Sequence, residues 1–317
     1  MKLATIAVET PLGSTRRLCV VDDDYVDVTA GYARLLDDDG EARPETVAKT
    51  VAPPNMLEFL RGGQRCLDAA RAVAKADFEA DAHSPDGARI RYDPTDAHLC
   101  SPLPRPNSIR DFSVFEDHGA DDKADVWYEF PSPYKGNPDT VVDPDETVAW
   151  PAYDDRPDFE LEIAAVVGRA GEDIAADEAD DYIAGYTIFN DFSAREIQSR
   201  EMQARLGPAK GKDFANGLGP YLVAGDEFDP TDATATVRVN GDQWVQSEVG
   251  DMYHSFGDML EHASASEGVR PGDVLGSGTV AGCCGYDLDR WIDYGDEIEL
   301  HVEGLGTLTH QIVAPDE

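Results

Sequence analysis

The chain has 317 residues and a mass of 34.4 kDa, which allows two domains or one large domain with an appendage. Its 64 acidic and 26 basic residues give a formal net charge of −38 and a pI near 4.2. This charge excludes a general nucleic-acid binder, because little basic surface is left to neutralise phosphates, and it argues against docking on anionic lipid.

Residues 1–100 predict a small N-terminal α/β domain. Residues 2–10 and 15–29 are typical of two strands joined by a turn. Apolar spacing within 55–80 predicts one short and one longer helix, with a break at Gly62-Gly63. Residues 81–107 are rich in Pro, Asp and Ser and indicate a connection, so we place the domain boundary near residue 100.

Residues 101–317 predict a second domain made mostly of strands. Helical patterns are few, and they lie near 176–184, 194–206 and 255–267. Strand-like runs are more numerous and cover 158–168, 182–195, 218–228, 234–244, 273–282 and 296–313. This balance favours a β-rich α+β fold over a doubly wound parallel sheet.

The composition also indicates where the protein works. The 42 Asp and 22 Glu are spread along the whole chain, and there are only 7 Lys beside 19 Arg. Salt screens the repulsion among such charges, since the Debye length falls to about 3 Å at 1 M. We therefore interpret the acidity as adaptation to a high-salt cytoplasm, and we treat two neighbouring carboxylates as weak evidence of a site.

The cysteines and the N-terminus set further limits. Five Cys without regular spacing do not form a disulfide framework. The first residues lack the apolar run and cleavage site of a signal peptide, and no stretch approaches 18 uncharged apolar residues. We expect a soluble cytoplasmic protein without a transmembrane helix.

Common catalytic motifs are absent from the sequence. It has no P-loop, no nucleophile elbow, no H-E-x-x-H and no glycine-rich dinucleotide fingerprint. The seven histidines show no zinc-ligand spacing. A site for a hard metal ion built from carboxylates remains open.

Glu160 and Glu162 are the first candidates for such a site. The two side chains share one face of a strand, because a strand repeats every two residues. The following Ala-Ala-Val-Val-Gly run is apolar on both faces, which indicates a buried strand, and buried carboxylates need a cation or protons. The alternative is an exposed strand face with two solvated acids.

Four further residues stand out, each with an ordinary structural alternative. Asp191 ends an apolar strand, where it could simply be a turn or cap residue. Asp111 and His118 are seven residues apart, a spacing that puts them near one face of a helix, although a lone His is more often structural. Lys212 is one of few lysines, and it could pair with a carboxylate or substrate oxygen or be an ordinary loop residue.

Six segments, taken in order, resemble the fumarylacetoacetate hydrolase family: SIRDFSVFEDH, PYKGNPDTVV, DFELEIAAVVG, YTIFNDFSAREIQ, LGPAKGKDF and GSGTVAG with YDLDRW. The resemblance covers about residue 100 to the C-terminus, and its Asp-x6-His element is closest to the fumarylacetoacetase branch. It implies a mixed β-sandwich roll at 101–317, preceded by the small α/β domain at 1–100. It also suggests a homodimer.

The resemblance implies roles for particular side chains. It implies a divalent metal held by four carboxylates, Asp111, Glu160, Glu162 and Asp191. It makes His118 the base that activates water, with Asp287 as its acidic partner where the family usually has Glu. Substrate-contacting or catalytic positions fall on Tyr134, Arg195, Gln198, Lys212 and Thr279. Met202 occupies a place where the mammalian-type enzyme has Tyr, so contacts there should differ.

The function implied is hydrolysis of a carbon–carbon bond in a β-diketo acid of the fumarylacetoacetate or acylpyruvate type. Hard oxygen ligands suit Mg²⁺, with Ca²⁺ or Mn²⁺ as alternatives. Lys212 and Arg195 would offset the excess negative charge and attract an anionic substrate, and Lys212 and Gln198 would hold the oxyanion. One alternative is a hydratase, dehydratase or oxaloacetate decarboxylase on the same scaffold. Another is a non-catalytic acidic binding or scaffold protein.

Overall fold

The computed structural model describes residues 1–11, 13–119 and 123–315. Within these ranges the chain forms seven α-helices: α1 Val28–Asp38, α2 Pro44–Val51, α3 Met56–Arg61, α4 Gln64–Ala74, α5 Arg195–Gln203, α6 Phe256–Ser264 and α7 Gly285–Leu288. Short 3-10 segments add one or two turns each, the longest at Ala176–Asp181. None of these helices is both long and apolar enough to cross a membrane.

Strands dominate the same ranges. They are β1 Lys2–Thr10, β2 Gly13–Val21, β3 Tyr25–Asp27, β4 Arg91–Tyr92, β5 His98–Cys100, β6 Ser108–Asp111, β7 Tyr134–Gly136, β8 Val141–Val142, β9 Thr147–Ala149, β10 Pro157–Asp158, β11 Leu161–Val167, β12 Ile183–Asp191, β13 Ser193–Ala194, β14 Asn216–Ala224, β15 Thr234–Val239, β16 Asp242–Glu248, β17 Asp273–Gly276, β18 Glu297–Val302 and β19 Gly306–Val313. The predicted β-rich α+β class is confirmed.

The strands form one large sheet and two smaller ones. The large mixed sheet has 12 strands and follows the order β4-β3-β2-β1-β14-β12-β11-β17-β6-β7, with β5 beside β1 and β8 beside β14. A five-stranded sheet has the order β16-β15-β18-β19-β9, and β10 pairs with β13. Most pairs are antiparallel, but β17 and β6 are parallel, with Gly276 opposite Asp111.

The N-terminal third matches its prediction in several elements. Strands β1 and β2 form the expected hairpin, and α3 and α4 are separated at Gly62-Gly63. Gly63 has φ of 61°, a left-handed backbone that glycine adopts without steric cost, and α4 begins directly after it. The structure adds helices α1 and α2, which are not among the predicted elements.

The large sheet runs through both predicted domains. β1 pairs with β14 in antiparallel register, with Lys2 opposite Val223 and Leu3 opposite Leu222. The N-terminal strands therefore extend the sheet of the predicted catalytic domain. The boundary near residue 100 stays a prediction.

Strand β11 lies at the centre of the molecule, and all seven of its residues are buried. Its alternate side chains enter two different hydrophobic cores. Ile163, Ala165 and Val167 pack toward the five-stranded sheet, whereas Ala164 and Val166 pack toward the N-terminal helices. Burying a Val or Ile side chain stabilises the fold by about 1.5–3 kcal/mol, so this strand is a rigid platform for the residues at its start.

One expected element is wrong. The spacing of Asp111 and His118 suggested one helix face, but Asp111 ends β6 and residues 112–115 have no regular secondary structure. The amides of Phe112 and Val114 donate to the carbonyls of Gly276 and Ser277, at 3.0 and 3.1 Å. Pairing with this distant segment replaces the local hydrogen bonds of a helix.

The remaining predicted helices are shorter than expected. The pattern at 176–184 forms a 3-10 segment, Ala176–Asp181, and β12 begins at Ile183. The patterns at 194–206 and 255–267 are confirmed as α5 and α6. All five cysteines are free and buried, as the absence of a disulfide framework in the sequence predicted.

Candidate active site

Three buried carboxylates meet where three strands of the large sheet begin or end. Asp111 is the last residue of β6, Glu162 is the second residue of β11, and Asp191 is the last residue of β12. One carboxylate oxygen from each lies within 4.8 Å of the others. The three side chains are 5%, 0% and 0% exposed, so solvent does not separate their charges.

The carboxylates of this group lack enough protein partners. Glu162 Oε1 and Asp191 Oδ1 are buried and accept no hydrogen bond from any residue that the structure describes. Burial raises the pKa of Asp111 to about 6. Burial, followed by the charges of the neighbouring acids, raises the pKa of Glu162 well above its ordinary value. Such oxygens need protons or a cation, because uncompensated buried charge is very costly.

Glycines shape the space around these oxygens. A Cβ atom at Gly276 would lie 2.4 Å from Asp111 Oδ1 and 2.9 Å from Glu162 Oε2, inside van der Waals contact. The amide of Gly278 donates to the same two oxygens, at 3.2 and 3.1 Å. The backbone therefore leaves room for the carboxylates and orients them.

Lys212 supplies the positive charge beside this group. Its Nζ donates to Glu160 Oε2 at 2.5 Å and also to Asp191 Oδ2. Burial opposes the ammonium charge, but Asp191 and Glu160 outweigh burial and raise the pKa of Lys212, so the side chain stays protonated. The lysine singled out in the sequence thus lies buried between two acids.

Glu160 is not one of the three converging acids, although it shares Lys212 with Asp191. Its Oε1 is 2.7 Å from Arg195 Nη2 and 3.9 Å from His118 Nε2. Burial would raise the pKa of Glu160, yet Lys212 and Arg195 together outweigh burial and lower it. Glu160 is therefore an ionised partner of two cations and a neighbour of the carboxylate group.

Arg195 is the first residue of α5, and acidic side chains hold its guanidinium in place. Its Nε donates to Asp158 Oδ2 at 2.7 Å, and its Nη1 donates to Gln198 Oε1 at 3.1 Å. The guanidinium also lies over the ring of Tyr286. Arg195 does not line the cavity described below, so in this structure it positions Glu160 and Gln198.

His118 and Asp287 form a hydrogen-bonded pair. His118 Nδ1 is 3.0 Å from Asp287 Oδ2, and the amides of Gly119 and Gly282 donate to this carboxylate at 2.9 and 3.2 Å. Burial opposes ionisation of Asp287, but His118 and these amides outweigh it and lower the pKa of the carboxyl group. An ionised carboxylate only accepts, so Nδ1 carries a proton, and in the neutral imidazole the lone pair is on Nε2.

A cavity of about 320 Å³ joins the carboxylates to His118. Tyr134 lines it, and its hydroxyl donates to Asp191 Oδ2 at 2.8 Å. Thr279 also lines it, with a buried Oγ1 that has no partner among the described residues. The other lining residues include Ser113, Ser132, Gln198, Met202, Pro208 and Lys212.

The structure thus brings together most of the side chains that the sequence singled out. Those that meet at the cavity are Asp111, His118, Tyr134, Glu160, Glu162, Gln198, Lys212 and Thr279. Asp191 and Asp287 contact these residues directly, through Lys212 and His118. The alternative of exposed, solvated acids at 160 and 162 is excluded, because both residues are buried.

Two residues of this site were missed in the sequence. Asp158 is fully buried, and it accepts from Arg195, from the amide of Gly285 at 2.7 Å and from that of Tyr286 at 3.0 Å. Its position two residues before Glu160 on the same strand face was the available signal. Cys284 lies 4.0 Å from His118 Nδ1, and no sequence pattern pointed to it.

The carboxylate group suits a hard divalent cation. All three converging ligand atoms are oxygens, two buried oxygens lack protein partners, and Gly276 leaves the space that a side chain would fill. Oxygen donors of this kind bind Mg²⁺, Mn²⁺ or Ca²⁺. The fold and the site therefore define a mixed β-sheet protein with a buried carboxylate centre facing a histidine–aspartate pair.

Comparison with protein families identifies the class further. Residues 110–313 match the model of the fumarylacetoacetate (FAA) hydrolase C-terminal domain. This match covers more than half of the chain, and the chain belongs to the fumarylacetoacetate hydrolase family.

Individual relatives agree with this assignment. Oxaloacetate tautomerase YisK of Bacillus subtilis (strain 168) is 28% identical over 267 residues, which cover 82% of this chain and 87% of that protein. Fumarylacetoacetate hydrolase from Exiguobacterium antarcticum superposes with a TM-score of 0.72 at 21% identity, covering 98% of this chain and 99% of that one. Maleylpyruvate hydrolase from Sphingobium sp. SYK-6, solved with manganese(II) and pyruvate, gives 0.70 at 22% identity over the full length of both chains.

Proposed function

We propose that this protein is a metal-dependent hydrolase that cleaves a carbon–carbon bond in a β-diketo acid of the acylpyruvate type. The observation that carries the proposal is that two groups adjoin one cavity. Asp111 and Glu162 of the buried carboxylate group line it, and so does His118, which is paired with Asp287. The family supports enzymatic activity, and the geometry supports this reaction within it.

The carboxylate group would hold the divalent cation, with Glu160 as a further ligand or as the neighbour that keeps Lys212 in place. Bound there, a cation such as Mg²⁺ would supply Lewis acidity to a 2-oxo acid. Tyr134 and Lys212 hold Asp191, so its carboxylate is positioned before the substrate arrives. The Lys212 ammonium also favours an anionic substrate, because it is a cation that lines this cavity.

His118 is the proposed base. Its Nε2 accepts a proton from a water molecule while Asp287 holds the Nδ1–H, and the hydroxide attacks the remote carbonyl of the substrate. The carbon–carbon bond then breaks, and the electron pair leaves on the fragment that bears the 2-oxo acid. The Gln198 side chain and the Thr279 hydroxyl face the cavity and are the neutral donors available to the substrate oxygens.

Replacing the histidine tests this role. We expect His118→Ala to lower kcat on an acylpyruvate by about 10²–10⁴-fold, the usual contribution of a positioned base, while Mg²⁺ binding measured by calorimetry is retained. His301→Ala is the control, since His301 lies on β18 and contacts Thr307 away from the cavity. Near-normal kcat in His118→Ala would remove His118 from the mechanism.

A second titration tests the cation site against diffuse binding to an acidic surface. Wild type in concentrated KCl should bind one Mg²⁺ per chain, and Asp191→Ala should lose this binding. Asp242→Ala removes an exposed carboxylate from the turn at the start of β16 and should change nothing. Equal weak binding by all three proteins would instead favour a non-catalytic acidic protein.

A tautomerase is the second candidate function. The observation that favours it is the relationship to oxaloacetate tautomerase YisK across 82% of this chain. The two reactions differ in products: hydrolysis releases two acids, whereas tautomerisation of oxaloacetate changes only the enol absorbance. Assaying an acylpyruvate and oxaloacetate side by side with Mg²⁺ separates them.

A further inference from the structure

Next to the carboxylate group lies a second cluster of potential metal ligands with a different chemistry. One ligand atom from each of His118, Cys284 and Asp287 lies within 4.8 Å of the others, and the three offer one nitrogen, one sulfur and one oxygen. His118 Nδ1 is 3.0 Å from Asp287 Oδ2 and 4.0 Å from Cys284 Sγ. This set of donors suits a borderline or soft ion, whereas the three carboxylates suit a hard one.

The distances agree with a tetrahedral ion. Zinc bonds of about 2.0–2.3 Å to nitrogen, oxygen and sulfur place neighbouring ligand atoms about 3.3–3.6 Å apart. The distances from His118 Nδ1, 3.0 and 4.0 Å, bracket this separation, so for these two pairs shifts of a few tenths of an ångström would suffice. Of the three ligands, His118 lines the cavity.

The surrounding backbone already fixes the ligands. The amides of Gly119 and Gly282 donate to Asp287, and the amide of Asp287 donates to Cys284 Sγ at 3.4 Å at the start of α7. Hydrogen bonds of this kind orient ligands before an ion binds. Cys284 itself has no part in the proposed hydrolysis, and burial raises the pKa of its thiol, so without a metal it is a neutral side chain.

We propose that His118, Cys284 and Asp287 form an inhibitory site for a thiophilic divalent cation, with Zn²⁺ as the type ion, separate from the carboxylate site for the hard cation. Binding releases the thiol proton of Cys284 to solvent, while the imidazole of His118 exchanges its proton from Nδ1 to Nε2 through water with no net release. The neutral imidazole then carries its proton on Nε2, so the base can no longer accept a proton from water. The inhibition rests on the proposed function, whereas the binding does not.

The binding is tested with Co²⁺ as a spectroscopic probe on the full chain in saturating Mg²⁺. A thiolate ligand gives a near-ultraviolet charge-transfer band, and we expect one equivalent of it in wild type. Cys284→Ser keeps a polar cap for α7 but removes the sulfur, so the band should disappear. Cys283→Ala is the matched control: Cys283 is the adjacent buried thiol outside the cluster, and its variant should keep the band.

A second cluster of potential metal ligands that contains a thiol is the competing site for Co²⁺. His98, Cys100 and Asp143 also lie within 4.8 Å of one another, away from the cavity. Loss of the band in Cys100→Ser, or its persistence in both Cys284→Ser and Cys284→Ala, would overturn the proposal. Circular dichroism of each variant confirms folding before the band is scored.

Inhibition is measured separately. With each variant scaled to its own uninhibited rate, we expect Cys284→Ser to raise the Zn²⁺ concentration for half inhibition at least tenfold, while excess Mg²⁺ leaves it unchanged in wild type. Relief of Zn²⁺ inhibition by Mg²⁺ would place the ion at the carboxylates and contradict the proposal. If the protein lacked hydrolase activity, the Co²⁺ band would still report on the site.

Discussion

A methyl group at position 276 would compete for the space that two carboxylates occupy. Alanine in place of Gly276 brings a Cβ within 2.4 Å of Asp111 Oδ1 and 2.9 Å of Glu162 Oε2, and neither buried acid can swing into solvent. We expect Gly276→Ala to weaken divalent-cation affinity at least tenfold, which corresponds to about 1.4 kcal/mol, and to lower the melting temperature. Calorimetry and thermal unfolding measure the two effects.

Gly268 gives a matched control for that substitution. A Cβ there would meet only the carbonyl oxygen of Gly171, at 3.9 Å, which is ordinary contact. Gly268→Ala should therefore keep both cation affinity and stability. If Gly276→Ala binds the cation like wild type, the arrangement of these carboxylates is not required for binding. The cation then binds elsewhere.

Single residues also show how far the sequence could be taken. The alternation Asp158, Glu160, Glu162 on one strand face could have identified all three buried acids, but only two were chosen. Asp111 and Asp191 lie on other strands that are distant in sequence. Only the family resemblance could place them beside Glu160 and Glu162. Cys284 was beyond prediction, since its closeness to His118 results from the fold of two loops.

At the scale of elements, the start of helix α1 depends on a buried acid. Asp27 Oδ1 accepts from the amide of Ala30 at 2.8 Å, and its Oδ2 is 3.5 Å from Arg17 Nη1. Burial raises the pKa of Asp27 to about 6, because Ala30 and Arg17 compensate only part of the lost hydration. The folded protein thus holds this proton more tightly than the unfolded chain does.

This difference predicts a pH dependence. The contribution of Asp27 to the free energy of unfolding is fully present below its unfolded pKa and is lost as pH rises through about 6. Between pH 4 and 7, the free energy of unfolding of wild type should fall by about 2–3 kcal/mol relative to that of Asp27→Asn. The amide oxygen of the Asn side chain still caps the helix. Urea unfolding at several pH values measures the difference.

Asp93 is the control for Asp27, because it also caps a helical turn but is exposed to solvent. Its carboxylate accepts from the amide of Thr95 at 2.8 Å. Burial does not dominate there, and the hydroxyl and amide of Thr95 lower the pKa of Asp93. Asp93→Asn should not reproduce the relative gain in stability with rising pH. A pH-independent difference between wild type and Asp27→Asn would mean that Asp27 has an ordinary pKa in the folded protein.

Elements with clear local patterns were predicted, and elements set by distant contacts were not. The β1–β2 hairpin and the break between α3 and α4 follow from alternation and from the glycine pair. The stretch after Asp111 has helical spacing, but it pairs with the backbone of 276–277, and such tertiary hydrogen bonds override local preference. The 12-stranded sheet could not be assembled from the sequence, because β1 and β14 are over 200 residues apart.

Over the whole molecule, charge is distributed in two distinct ways. Inside, Lys212 and Arg195 are buried among the acids of the site and compensate them at short range. Outside, most of the 64 acidic residues face solvent in a chain that carries only 26 basic ones. Salt should therefore act on the surface far more than on the site, since buried pairs are screened much less than exposed charges.

The surface charge predicts that salt stabilises the fold. At pH 7 the net charge of −38 favours expansion, and raising KCl from 0.1 to 1 M shortens the Debye length from about 10 to 3 Å. We expect the melting temperature to rise steeply over this range and then to level off. Near pH 4.2, where the net charge vanishes, the same KCl series should change it little. A melting temperature at pH 7 that stays constant or falls with KCl would show that repulsion among the acids does not limit stability, and the acidic surface would then need another explanation.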